Sequence, residues 1–140
     1  MNTNTQQSAR KTFAPIGCRR WAIAEGYIPP GSHGQAPEMV SHEAACILNV
    51  SSEEARLEIW IFYSDRGPVG PYKVSVPAGR TKHVRFNDLT DPEPIPHGTD
   101  YASLIESNIP VVVQHTRLDS RQSDNALMTT MAFADAGAGP

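Results

Sequence analysis

The chain has 140 residues, 39% hydrophobic and 19% charged, and its 12 Lys+Arg against 15 Asp+Glu leave a formal net charge of −3. That is one domain's length, with too little charge for a polybasic nucleic-acid binder or an acidic solvating tail. Twelve Pro and ten Gly favour turns over long helices and make an all-β domain the leading class.

The N-terminus, through residue 18, is rich in Asn, Thr, Gln and Ser and lacks the apolar surface to offset its ordering entropy, so it is expected to be a flexible tail and not a secretory signal. The body is expected to run over residues 19–134. Its first strand covers Trp21 to Glu25, followed by a Pro29-Pro30-Gly31 turn; the second covers His42 to Asn49 and ends before Ser51-Ser52-Glu53. Asn49-Val50-Ser51 is then a chance glycosylation triplet. In the third, Leu57, Ile59, Ile61 and Tyr63 make one face while Trp60 and Phe62 make the other apolar as well. Such a strand should be central and covered on both sides, and its surplus apolar surface points to oligomerisation.

After Asp65-Arg66-Gly67-Pro68, a strand at Tyr72, Val74 and Val76 turns at Pro77-Ala78-Gly79 into Thr81 to Phe86. Asp91 to His97, with Pro at every second position, is an extended loop long enough to cross between sheets. Ala102 to Glu106 reads as a strand, or alternatively as the start of a helix with Thr99 as N-cap. Ser107-Asn108 is a turn signal, Ile109 to Val113 the next strand, and Leu127, Thr129, Met131 and Phe133 mark the last. Residues 135–140 form a second flexible tail. About eight short strands spaced by turns specify an antiparallel β-sandwich, jelly-roll-like in its connections.

Polar side chains gather in a few places. In the polar strand that opens at Arg80, Thr81, His83 and Arg85 point to one face as a basic stripe, suited to a carboxylate, phosphate or sugar hydroxyls, or simply to solvent or a subunit salt bridge. The apolar face of Ile109, Val111 and Val113 continues into His115 and Arg117, followed by Asp119 and Arg121, which can pair at a rim. If the two strands are neighbours, these groups line one donor-rich site for a hydroxylated or anionic small molecule, with Trp21 as a stacking face and Glu25 as an acceptor. An enzyme reading instead brings His42, His83 and His115 together with Glu43 as a cupin-like metal site. The spacing gives it no support, since there is no His-x-His, no His-Glu-x-x-His and no nucleophile elbow. The two cysteines, Cys18 and Cys46, suit neither a disulfide framework nor structural zinc. With no apolar run of about 18 residues to cross a membrane, a soluble cytoplasmic protein is the simplest reading.

The order of several long runs carries a resemblance: Trp21-Ala-Ile-Ala-Glu-Gly-Tyr-Ile-Pro-Pro30, Gly67-Pro-Val-Gly-Pro71 before Tyr72, Arg80-Thr-Lys-His-Val-Arg-Phe-Asn-Asp88, Asp91-Pro-Glu-Pro-Ile-Pro-His97 and Val113-Gln-His-Thr-Arg-Leu-Asp-Ser-Arg-Gln122. From about Arg19 to Ala134 the chain resembles the sensory rhodopsin transducer family. The resemblance implies a small cytoplasmic β-sandwich assembled as a homotetramer. It also implies binding to the cytoplasmic face of a microbial rhodopsin, a small carbohydrate-like ligand, and binding to promoter DNA, which the net charge of −3 would make weak and salt-dependent. It transfers no catalytic residue and implies no cofactor or metal. The family's polar positions fall on Glu25, His42, Glu43, Arg80, His83, Arg85, His115, Arg117, Asp119 and Arg121.

Overall fold

Alternation of apolar and polar side chains divides each strand of this chain between a core and an outer face. The computed structural model describes residues 11–137, and among these eight strands form: β1 (Cys18–Tyr27), β2 (His42–Asn49), β3 (Ala55–Tyr63), β4 (Val69–Val76), β5 (Arg80–Arg85), β6 (Asp100–Asp119), β7 (Ala126–Met131) and β8 (Phe133–Asp135). A 3-10 turn at Phe86–Asp88 follows β5. Every pairing is antiparallel. One sheet runs β4-β3-β6-β1-β8 and the other β5-β2-β6-β7, so the protein is an eight-stranded antiparallel β-sandwich whose two sheets share β6.

The register explains the core. Trp21, Ile105, Ile59 and Tyr72 stand side by side across the first sheet, and all are buried against Ala45, Ile47, Val84 and Val113 of the second. Each fully buried aliphatic side chain of this kind contributes about 1.5–3 kcal/mol of transfer free energy. The Asp91-to-His97 segment is a loop between β5 in one sheet and the first half of β6 in the other. Ile95, 4% exposed, pins that loop to the core, and the Tyr72 hydroxyl donates to the Glu93 carbonyl at 2.6 Å.

Asn49 is fully buried. Its Nδ2 donates to the carbonyls of Glu53, Val76 and Pro77 at 2.8, 3.1 and 3.2 Å, and its Oδ1 accepts from the amide and hydroxyl of Ser51. The glycosylation triplet is therefore a structural clamp on the β2–β3 connection.

Four expectations are corrected by the fold. Ser107-Asn108 is no turn: β6 runs straight through as a 20-residue strand, parting from β3 after Ser107, still meeting β1 at Val111, and pairing with β2 from Val112 onward. Asn108 instead holds the neighbouring strand, its Oδ1 accepting from the Arg56 amide at 2.6 Å and its Nδ2 donating to Glu54. Thr99 opens no helix, since Asp100 already begins β6, whose pairing with β1 and β3 on both edges overrides the local capping signal. The stretch from Leu127 to Phe133 is two strands: Met131 pairs with Gln114 in one sheet and Phe133 with Ala22 in the other, the chain crossing between them at Ala132. The face of β3 bearing Trp60 and Phe62 is not covered by a second layer, and Phe62 is 41% exposed.

The expected tails fall partly outside the described residues, which exclude 1–10 and 138–140. Within them Cys18 opens β1 and Asp135 closes β8, where its carboxylate meets Arg20 at 3.0 Å.

Candidate functional site

Strand parity carries Glu43 of β2 and His115 and Arg117 of β6 to the inner face, one step beyond the apolar rows of Ala45, Ile47 and Val113. Glu43 sits opposite Arg117 in register and is fully buried. Its Oε1 accepts from Arg117 Nε at 3.0 Å, from Arg117 Nη2 at 2.8 Å and from the Tyr27 amide of β1. Its Oε2 meets His115 Nε2. One carboxylate thereby joins β2, β6 and the opposite sheet. A charge taken out of water is tolerable here because donors surround it and a guanidinium neutralises it.

The remaining Arg117 Nη1 lies 3.6 Å from Glu25, whose side chain is 88% exposed. Burial works against the Arg117 charge, but hydrogen bonds and attraction from Glu43, then Glu25, outweigh it and raise its pKa. Arg117 and Arg121 both face the Tyr27 ring, at 5.9 and 5.8 Å from its centre. Arg121 also grips Asp119 at 2.7 Å, and that hydrogen bond holds the Asp119 carboxyl below its ordinary range.

A groove of about 810 Å³ opens beside this cluster between β1 and β7. Its polar lining is Glu25, His115, Arg117, Thr129 and Thr130; its apolar lining includes Ala22, Ala24, Met128 and Phe133. Near Glu43, Tyr101 is 4% exposed, and its hydroxyl has no hydrogen-bond partner among the described residues. Burial, then the nearby Glu43 charge, push the Tyr101 phenol far up. The ring fits because position 26 is glycine: a Cβ there would lie 2.4 Å from Tyr101 Cε2.

The other nominated residues are placed elsewhere. Trp21 is a core residue, 4% exposed, whose indole N–H donates to the carbonyls of Cys18 and Val111 at 2.9 and 3.0 Å. β2 separates β5 from β6, and the register sets His83 across from Cys46 and Arg85 across from Ala44, on the face opposite to Glu43, His115 and Arg117. The two groups expected to line a single rim therefore lie on opposite faces of one sheet. Arg85 Nη1 donates to the Pro37 carbonyl, and Arg80 Nη1 to those of Ala78 and Gly79. His42 shares the outward parity of Ala44 and donates Nδ1–H to the Val40 carbonyl at 2.7 Å. The cupin-like grouping does not assemble, because His42 and His83 face away from His115 and Glu43. Among the described residues no cluster of three or more His, Cys, Asp or Glu side chains is arranged to hold a metal ion.

Tyr27, Tyr101, Met128 and Thr130 escaped the sequence reading. The signal that could have found the cluster was Glu43 itself, a carboxylate on the same parity as Ala45 and Ile47.

A protein family described as "Anabaena sensory rhodopsin transducer" matches residues 16–134. Among solved structures, one named Anabaena sensory rhodopsin transducer is 65% identical, with a TM-score of 0.69, covering 79% of this chain and 96% of that one. The crystal structure of Thermotoga maritima 1070 is 36% identical, with a TM-score of 0.77, covering 87% of this chain and 98% of that one. Among curated proteins nothing matches.

Proposed function

The chain belongs to the Anabaena sensory rhodopsin transducer family, a family of signal transducers and not of catalysts, and from that premise we propose that it is a cytoplasmic signalling module that binds the cytoplasmic face of a microbial rhodopsin. The observation that carries this reading is 65% identity over 96% of a chain named for that role. No helix among the described residues is long and apolar enough to cross a membrane. The test is titration of the purified chain onto Anabaena sensory rhodopsin in lipid nanodiscs. Saturable binding with an altered photocycle is expected; absence of both at saturating chain overturns the proposal.

Small-ligand sensing belongs to the same reading. The groove pairs donors from Arg117 and acceptors from Glu25 with an apolar wall, a lining suited to a hydroxylated, carbohydrate-like molecule. A sugar panel read by thermal shift should yield a stabilising ligand. Its effect should fall in Glu25→Ala, whose exposed side chain leaves the fold intact. A hit that stabilises wild type and variant equally rules the groove out. Self-association to a homotetramer completes the proposal, supported by large apolar side chains left exposed along the C-terminal strands.

A further inference from the structure

The basic strand β5 takes no part in the cluster at Glu43. Among the described residues it pairs with β2 alone, as β4 pairs with β3 alone, so each is an edge strand of its sheet. The two follow each other through the Pro77-Ala78-Gly79 turn, and the seam between them holds a groove of about 320 Å³. Val74, Val84 and Leu89 give it an apolar lining anchored in the core. Its charged lining is Lys73 of β4, Lys82 and Arg85 of β5, and Asp88, with His83 beside them.

Those charges are out of balance. Arg20, Arg66, Arg117 and Arg121 each meet a carboxylate at 2.7–3.0 Å, whereas among the described residues Lys73, Lys82 and Arg85 have no ion-pair partner. Arg85 Nη1 donates to the Pro37 carbonyl at 3.1 Å, while its Nε is buried and lacks a hydrogen-bond partner among the described residues. Lys82 Nζ reaches across the seam to the Ser75 carbonyl at 3.1 Å, which fixes the ammonium at the groove and leaves its other donors to a ligand. Charges of either sign would keep another strand off these edges. Edge protection therefore does not account for three cations gathered against one carboxylate in a chain of net charge −3.

We infer that this seam is an anion site for a small phosphate monoester that also carries hydroxyl groups. The three cations and one carboxylate leave a surplus of two positive charges, and a phosphate monoester brings about −1.5 to −2 at neutral pH. A guanidinium and two ammonium groups on one groove suit its oxygens. Asp88 supplies an acceptor for a hydroxyl, which inorganic phosphate has no carbon chain to present there. Size limits the occupant. The groove lies at the small end of the about 300–1,000 Å³ typical of small-molecule sites, and three cations span little of a duplex that carries one charge per about 1.7 Å. The site is separate from the groove lined by Glu25 and Arg117, which lies beside β7 at the opposite edge of the sheet.

Heteronuclear NMR of the full chain, titrated with glycerol 3-phosphate at constant ionic strength, tests the assignment. Saturable shifts are expected at amides of residues 73–75 and 82–89, and glycerol over the same range should produce none. The double variant Lys73→Gln/Lys82→Gln, at two exposed positions, should bind at least tenfold more weakly with its β circular dichroism unchanged. Glu25→Ala should bind as wild type does. Loss of fold in the double variant leaves the wild-type shift map to decide. The inference is overturned by the absence of saturable shifts at these amides, by equal shifts with glycerol, or by full binding in the folded double variant. Tighter binding at the same amides by a short DNA duplex or by vesicles containing phosphatidic acid assigns the seam to a polymer or a membrane, and overturns it as well.

Discussion

Glu43→Ala is expected to lower stability by about 3–5 kcal/mol, the cost of removing one partner from a buried ion pair. The substitution orphans three donors at once: the Arg117 guanidinium, the Tyr27 amide and His115 Nε2. Of these Arg117 matters most. Its side chain is 12% exposed, and among the described residues its one other carboxylate, Glu25, is solvated and 3.6 Å away. At this chain length the loss corresponds to a fall in melting temperature of about 10–20 °C. Glu43→Gln should fall between wild type and Ala, because the amide oxygen still accepts a hydrogen bond while the charge is gone. Thermal melts at matched protein concentration measure both. If Glu43→Ala melts within a few degrees of wild type, the cluster does not hold the sheets together at this end, and Glu43 is available for another role.

Above pH 10 the fold is expected to weaken steeply. Burial, helped by the neighbouring Tyr63 and Glu93, pushes the Tyr72 phenol up to about 12. Burial and the Glu43 charge raise Tyr101 as well. In the unfolded chain both phenols titrate near their ordinary value of about 10. Between pH 10 and 12 the unfolded state therefore releases protons that the folded state keeps, and stability falls as pH rises through that window, having been fully present below it. Melting temperatures measured from pH 9 to 12 should be level up to about 10 and then drop. Tyr72→Phe and Tyr101→Phe should each flatten the drop by removing a titrating group. Tyr101→Phe should also be tolerated at neutral pH, because the hydroxyl it deletes has no partner to lose. A melting temperature that stays level through pH 12 would show that neither phenol is shielded from alkali.

The cluster at Glu43 was half legible in the chain. Continuing the Ile109, Val111, Val113 parity put His115 and Arg117 on one face, and the structure keeps them there. What joins them to Glu43 is a pairing across a sequence separation of more than seventy residues, and no local pattern encodes that register. Trp21 shows the converse: its surroundings of small apolar residues suited a stacking face or a core position equally, and only the carbonyls of Cys18 and Val111 beside its N–H decide for the core.

Period-two apolarity, turn spacing and composition determined that the domain is an all-β antiparallel sandwich, where most strands lie, and which side chains of each strand share a face. They did so because alternation is a local property, written in consecutive residues. The expected number of strands agrees with the structure for offsetting reasons, since two expected strands are one in β6 and one expected strand is two in β7 and β8. Turn residues mark where a chain is able to bend, but pairing energy decides whether it does: Ser107-Asn108 lies in a strand held by neighbours before and after it, and Ala132 lies where the chain changes partners. Tertiary structure alone decided that β2 stands between β5 and β6, and so sent His83 and Arg85 to the opposite face from His115 and Arg117. It also decided that β7 is an edge strand, because strand order and edges come from non-local hydrogen bonding between segments far apart in the chain.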